Sequence, residues 1–165
     1  MKIEPATVND LEQIEAIEQA GFNAAEAASL ETYRKRLAVL ADTFLVGRAD
    51  NSDVLGFIVG PAVKERFVED WMYEETLQNL LQGGHQLVFT IATAPTVRRQ
   101  GIGSKLLTAL AEVATQAGRT SMALTCLKDR IPFYEKNGFT NVGVADSVHA
   151  DEIWYNMEKQ LKRSV

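Results

Sequence analysis

A strand, a short basic turn and a long amphipathic helix follow one another without a break from His85 to Leu107, HQLVFTIATAPTVRRQGIGSKLL. Val88, Ile91 and Ala92 lie in a run rich in β-branched and aromatic residues, with Gly83-Gly84 in front and Pro95 behind. After Gly101 the apolar positions Ile102, Leu106, Leu107, Leu110, Val113, Ala114 and Ala117 recur at helical spacing until Gly118. A helix starting there aims several unpaired N–H groups, and its positive dipole end, into the turn. Arg98 and Arg99 add charge of the same sign, and Gly101 and Gly103 let a ligand approach the backbone closely. The combination reads as an anion cradle sized for a diphosphate, formed by Arg98 through Ser104 with Gln100 and Ile102 inside it. A glycine pair before a helix also fits a plain structural turn. Two other phosphate loops fail on detail. A dinucleotide loop needs a third glycine where Leu106 stands, and a Walker loop needs Gly-Lys-Ser/Thr where the order is Gly103-Ser104-Lys105.

Length and composition set the frame. The 165 residues suit one domain, 1–165, with a real core, and 46% hydrophobic with 24% charged residues is ordinary for a soluble globular chain. A net charge of −5 argues against nucleic acid as a partner. The single cysteine, Cys126, rules out an internal disulfide and makes a cysteine-ligated metal site unfavourable, so no metal is expected. No apolar run is long enough to span a membrane and the N-terminus lacks a signal pattern, so a cytoplasmic location and no membrane partner are the expectation.

Along the chain, Lys2–Ala6 reads as a short strand. Asn9 or Asp10 caps a helix with Leu11, Ile14, Ile17 and Phe22 inward and Glu12, Glu15 and Glu18 solvated. Residues 23–28 form an alanine-rich bridge, and Ser29 opens a second helix with Tyr33, Leu37 and Leu40 inward. Both helices fit simple covering of a sheet, and Phe22 and Tyr33 could also wall a substrate pocket. Thr43–Ala49 and Val54–Val63 read as a hairpin about Asp50–Asp53, with Pro61 at an edge or bulge. Lys64–Gln82 reads as a helix or an ordered flap. Thr120–Cys126 is a strand, Pro132 sits in the first turn of a short helix ending at Gly138, and Phe139–Val144 and Glu152–Gln160 close the fold as strands.

Ile131-Pro132-Phe133-Tyr134-Glu135-Lys136-Asn137-Gly138-Phe139 is the second informative stretch. Its two outer phenylalanines read as core. Arg-Arg-Gln-Gly-Ile-Gly resembles the coenzyme A pyrophosphate loop of the GNAT superfamily of N-acetyltransferases, Gln/Arg-x-x-Gly-x-Gly/Ala, with Arg98, Gly101 and Gly103 in its fixed places. Phe-Tyr-x-x-x-Gly-Phe about 30 residues later matches that superfamily's second motif. The order and separation of the two carry more than either alone. Within the superfamily, Leu124-Thr125-Cys126 with Ile131-Pro132-Phe133-Tyr134, and Gly56-Phe57-Ile58-Val59-Gly60, are similar to the arylalkylamine (serotonin) N-acetyltransferase branch. That branch carries two histidines on the strand before the loop, and Leu87 and Phe89 stand in their places.

The resemblance implies an α/β (α+β) fold: a central, mixed, mostly antiparallel sheet splayed in the middle, with helices on both faces. It implies acetyl-CoA as cofactor and an amine as acceptor, carried by a small molecule or by a protein or peptide, with a homodimer allowed. Backbone groups of Ile91, Ala92 and Thr93 would bind the pantetheine arm, and Tyr134 would stand by the sulfur and protonate the CoA thiolate, by a hydrogen bond or a late proton. Phe22, Phe57, Leu87, Phe89 and Thr125 are the acceptor-side residues. Strand parity puts His85, Leu87, Phe89 and Ile91 on one face.

An amine with a pKa about that of lysine is neutral in on the order of one molecule in a thousand at pH 7, so a proton must leave before attack. His85 is the leading base, with Glu26, Glu65, Glu69 and Asp70 as carboxylate alternatives. Cys126 as a nucleophile lacks an obvious partnering histidine and reads better as a small buried hydrophobe. From another class, a module that binds acyl-CoA without turnover satisfies the same two motifs.

Overall fold

The computed structural model describes residues 1–21, 28–75, 77–147 and 149–162. Phe22 and Glu26, two of the expected site residues, lie outside them. The chain forms two compact units, each from two stretches: residues 1–60 with 90–110, and residues 61–89 with 111–165.

The first unit holds a four-stranded antiparallel sheet in the order β1-β2-β3-β6, from β1 (Lys2–Pro5), β2 (Phe44–Arg48), β3 (Val54–Val59) and β6 (Thr90–Thr93). Its helices are α1 (Leu11–Gly21), α2 (Leu30–Val39) and the start of α3 (Ile102–Gln116). Thr7 and Asp10 form a reciprocal capping box before α1, and the Ser29 hydroxyl accepts the Thr32 N–H at the head of α2. Leu11, Ile14, Ile17, Tyr33 and Leu40 pack with Phe44, Val46, Phe57 and Val59 into one core. At its centre the Tyr33 ring stands edge-on to Phe57, centroids 5.3 Å apart. Tyr33 is therefore core rather than pocket wall.

Gly56 sets how close α3 comes to this sheet. A Cβ there would lie 2.9 Å from the Ala92 carbonyl oxygen, 3.2 Å from Ile102 Cγ2 and 3.3 Å from Leu106 Cδ1. Only glycine lets the first turns of the helix seat against β3.

The second unit holds a mixed sheet in the order β4-β5-β7-β9-β8, from β4 (Ala62–Val63), β5 (His85–Leu87), β7 (Ser121–Cys126), β9 (Tyr155–Gln160) and β8 (Thr140–Val144). Among the described residues β5 and β7 pair in parallel, and the other neighbours pair antiparallel. Among its described residues the one complete α-helix is α4 (Ile131–Lys136). Arg119 is buried and donates to the carbonyls of Gly83 and Leu80, at 3.0 and 2.7 Å, which ties down the loop entering β5.

Three expectations need correction. The strand drawn from His85 through Ala92 is two strands in two sheets, with Val88 and Phe89 between them, because its halves find different partners. The parity argument linking His85, Leu87 and Phe89 to Ile91 therefore fails. Of the two alternatives for residues 64–82, the helix is the one overturned: the described residues there hold a single 3-10 turn at Asp70–Tyr73, with Val68 and Met72 tucked into an apolar cluster. Glu18, expected in solvent, is buried at 2% exposure. Pro61 marks the point where the chain leaves β3 for β4 of the other sheet.

Candidate active site

Cradle residues come from one continuous piece of the first unit. Pro95–Val97 makes a single 3-10 turn, Arg98 is extended, and Arg99 and Gly101 take left-handed conformations with φ of 66° and 79°. Nothing approaches the position of a Cβ at Gly101, so its need for glycine is conformational rather than steric. The first hydrogen bond of α3 runs from the Lys105 N–H to the Gly101 carbonyl, 3.1 Å. The N–H groups of Ile102, Gly103 and Ser104 accordingly face out of the helix end. No acidic residue sits in that turn, so the dipole is undiluted. Arg98, Arg99 and Gln100 are exposed while Ile102 is buried beneath them, which anchors the cradle.

Upstream of the cradle, β6 is the outer strand of its sheet. Ala94 N–H donates to Leu55 O at 2.8 Å, and the register pairs Phe57 with Ala92 and Ile58 with Ile91. Antiparallel alternation then commits the backbone of Thr90 and Ala92 to β3 and turns the N–H and C=O of Ile91 and Thr93 to the open edge. Ala92, expected to join them in binding pantetheine, is thus engaged within the sheet.

In the second unit Tyr134 lies on α4, buried at 8% exposure, with its ring edge-on to Phe133 (5.0 Å) and Phe139 (5.8 Å). Phe139 N–H and Asn137 N–H both donate to its carbonyl, which closes the helix ahead of Gly138. Burial pushes the phenol's pKa well above its ordinary value, with the neighbouring Cys126 adding to the rise and Arg130 opposing it. The Cys126 thiol is itself pushed up to about 11 by burial, which removes it as a nucleophile.

His85 begins β5. Its Nδ1 lies 2.7 Å from Ser121 Oγ and 3.2 Å from Thr120 Oγ1. Leu87 is fully buried with Val63, Val68, Met72 and Ala123, and Phe89 stacks on Tyr73 at 4.9 Å. Thr125 is half-buried opposite Asn156. Phe57, fully buried between Tyr33 and Phe44, is core and offers no face to an acceptor. Of the carboxylates, Asp70 accepts from Ser147 Oγ at 2.6 Å, while Glu69 is exposed and Glu65 half-buried.

Sequence reasoning missed a polar cluster under α1 and α2. Glu18 occupies the place one turn beyond Ile14 on the apolar stripe, and Arg36 the place one turn beyond Tyr33. A charged residue in a stripe position was the available signal. Glu18 Oε1 accepts the Ala28 N–H at 2.8 Å, Arg36 lies over the Tyr33 ring at 5.3 Å, and its Nη1 reaches Thr90 Oγ1 at 3.4 Å.

The model of the family described as the acetyltransferase (GNAT) family matches residues 10–139. Curated proteins give no match in sequence. Among solved structures the chain is similar to Ard1 from Thermoplasma volcanium, at 20% identity and a TM-score of 0.76, over 98% of each chain. It is similar to the ribosomal-protein-S18-alanine N-acetyltransferase from Escherichia coli at 18% identity and a TM-score of 0.70, over 99% of this chain and 96% of that one. A third, the GphF GNAT-like decarboxylase in complex with isobutyryl-CoA, has 15% identity and a TM-score of 0.82, over 98% and 100%. At such identities the likeness is one of fold.

Proposed function

The chain belongs to the acetyltransferase (GNAT) family, enzymes that use acetyl-CoA, and from that premise we propose direct transfer of the acetyl group to a primary amine in a ternary complex. The observation that carries the proposal is the helix end at 102–104, with its outward N–H groups and the two exposed arginines beside it. The amides of residues 99–104 would grip the pyrophosphate, and the outward backbone groups of Ile91 and Thr93 would pair with the pantetheine amides as an added strand.

Tyr134 faces the departing sulfur in this reading. A free thiol has a pKa of about 8.5, so a phenol raised above its ordinary value does not give up its proton to the thiolate at equilibrium. It acts by donating a hydrogen bond as the C–S bond breaks. The proton that ends on sulfur comes from the amine, which loses one proton before attack and a second as the tetrahedral intermediate collapses.

The arylalkylamine likeness does not extend to that branch's proton route, and the acceptor class is left open. With Leu87 and Phe89 at the histidine places, and Leu87 buried in packing, an acceptor of that branch would need another proton route. Phe89 and Thr125 are the expected acceptor-side residues with surface to spare.

Isothermal titration with acetyl-CoA, followed by thiol release against tryptamine, spermidine and a short peptide with a free N-terminus, tests the proposal. Micromolar binding and release with one acceptor class are expected. Binding without release from any amine would favour the acyl-CoA sensor, and no heat at millimolar acetyl-CoA would end both readings.

A further inference from the structure

The parallel strands of the second unit lead to one row of side chains, Phe89, Thr125 and Asn156. Leu87 of β5 lies opposite Ala123 of β7, and the Val88 N–H still donates to the Ala123 carbonyl at 2.9 Å. Carried on along the chain, that register brings Phe89 level with Thr125. Across the antiparallel ladder on the other side of β7, Thr125 lies opposite Asn156. Parity puts Thr125 and Asn156 on the face of Ala123 and Glu158, where Val68, Met72 and Leu87 pack. Phe89 and Thr125 are acceptor-side residues in the proposed function, so Asn156 extends their row by one strand.

Asn156 Oδ1 is buried and accepts no hydrogen bond among the described residues. Such an atom lowers stability unless a donor reaches it, and the neighbouring strand brings none. On β8, Asn141 pairs with Met157 and Val144 with Tyr155, so Val142 and Gly143 together face Asn156 as a bulge. Val142 is apolar, and a Cβ added to Gly143 would meet nothing within 4 Å. The Gly143 N–H goes to Asn141 Oδ1, at 2.9 Å. The turn at Asp70–Tyr73 is fastened to the same face. Met72 enters the cluster of Leu87 and Ala123, and the Tyr73 ring lies 4.9 Å from that of Phe89. Asp70 accepts from the hydroxyl of Ser147, on the chain between β8 and β9, at 2.6 Å. The row thus runs from an aromatic pair at one end to an orphan acceptor oxygen at the other.

We propose that Asn156 Oδ1 holds the acceptor's amine nitrogen by an N–H···O hydrogen bond, with Thr125 Oγ1 beside it as a second acceptor. The inference rests on the acetyl-transfer reading and deepens it: the nitrogen is recognised by neutral oxygens rather than by a carboxylate. An amide carbonyl binds an ammonium and a neutral amine alike through their N–H groups, so the bond survives when the ammonium loses its proton. A carboxylate in the same place would favour the ammonium and hold back the nucleophile. Asn156 is therefore a binding residue that keeps the nitrogen in place while its lone pair is uncovered.

Steady-state kinetics with whichever of the three amines above is turned over, beside calorimetry with acetyl-CoA, tests this. Asn156→Leu should raise the amine KM at least tenfold, with kcat within threefold and acetyl-CoA affinity within twofold of wild type. Asn156→Asp should lower the amine KM at pH 7 and move the rising limb of kcat about half a pH unit or more to higher pH. Other titratable groups of this face are Glu158 in its fork with Arg66, His85, and Asp70 with Glu69 and Glu74 beside it. They are common to every variant, so the shift reports on position 156. Thr125→Val, of nearly the same shape, should raise the amine KM at least threefold, and it carries the binding comparison if Asn156→Leu does not fold. A smaller rise in the variant read, or an unshifted kcat profile in Asn156→Asp, overturns this proposal alone. Absence of wild-type turnover with every amine overturns it together with the reading it rests on.

Discussion

Tyr134 and Tyr33 are phenols that burial keeps protonated, and the sign of that shift determines what each can do. Because the neutral form is the one the fold prefers, their contribution to stability is complete below the ordinary tyrosine pKa of about 10 and disappears above it. In an alkaline absorbance titration these two of the four tyrosines should ionise only as circular dichroism is lost, and Tyr134→Phe should shrink that coincident step. In catalysis the same shift means no falling limb from Tyr134 between pH 6 and 9. Tyr134→Phe loses one charge-assisted hydrogen bond, about 2 kcal/mol, so kcat should drop roughly 30-fold with acetyl-CoA affinity within twofold of wild type, measured by steady-state kinetics and calorimetry. The residue scale also shows a limit of pattern reading. Glu18 reads as solvated from its charge, yet its place on the stripe of Leu11 and Ile14 decides its burial.

At the scale of elements, α3 carries the cradle and Gly56 allows it to seat. Gly56→Ala pushes a methyl against the Ala92 carbonyl and the first turn of the helix, an overpacking cost of about 2 kcal/mol. The helix start should shift, so both the melting temperature and acetyl-CoA affinity should fall. Gly101→Val is the contrasting change. It meets no neighbour, but it forces a β-branched residue to a φ of 79°. Calorimetry should find acetyl-CoA binding weakened at least tenfold for about 1 kcal/mol of stability. Helices were legible as elements because a 3.6-residue stripe is a local property. The strand at 85–93 was legible as extended chain but not as two strands, since β5 and β6 differ only in which remote strands they meet. The helix alternative for residues 64–82 fails for the reverse reason: their apolar spacing reflects Val68 and Met72 reaching one cluster from irregular chain.

Across the whole molecule, stability should be most sensitive on the acid side. In one unit Arg48 forks onto Asp10, with both contacts at 2.8 Å, and reaches Glu4 at 2.6 Å. In the other, Arg66 forks onto the buried Glu158, both at 2.6 Å. The guanidinium partners hold all three carboxyls below their ordinary pKa. The stabilisation is therefore complete above the ordinary carboxylate range and is lost as pH falls through and below it. The melting temperature should be flat from pH 6 to 8 and drop below about pH 4. Asp10→Asn should cost about 2 kcal/mol at pH 7 and flatten the acid limb, as followed by thermal unfolding.

Local pattern determined a good deal by itself. The basic glycine turn ahead of an amphipathic helix, and the Pro-Phe-Tyr helix some thirty residues on, are set by backbone conformation and by side chains within a few positions of one another. Tertiary structure decided the rest: which strand of a sheet has an open edge, that Ala92 faces inward while Ile91 and Thr93 face out, and that Glu18 and Arg36 are buried beside Tyr33. Those outcomes depend on partners far along the chain, and a chain's periodicity records that a face is covered without recording what covers it.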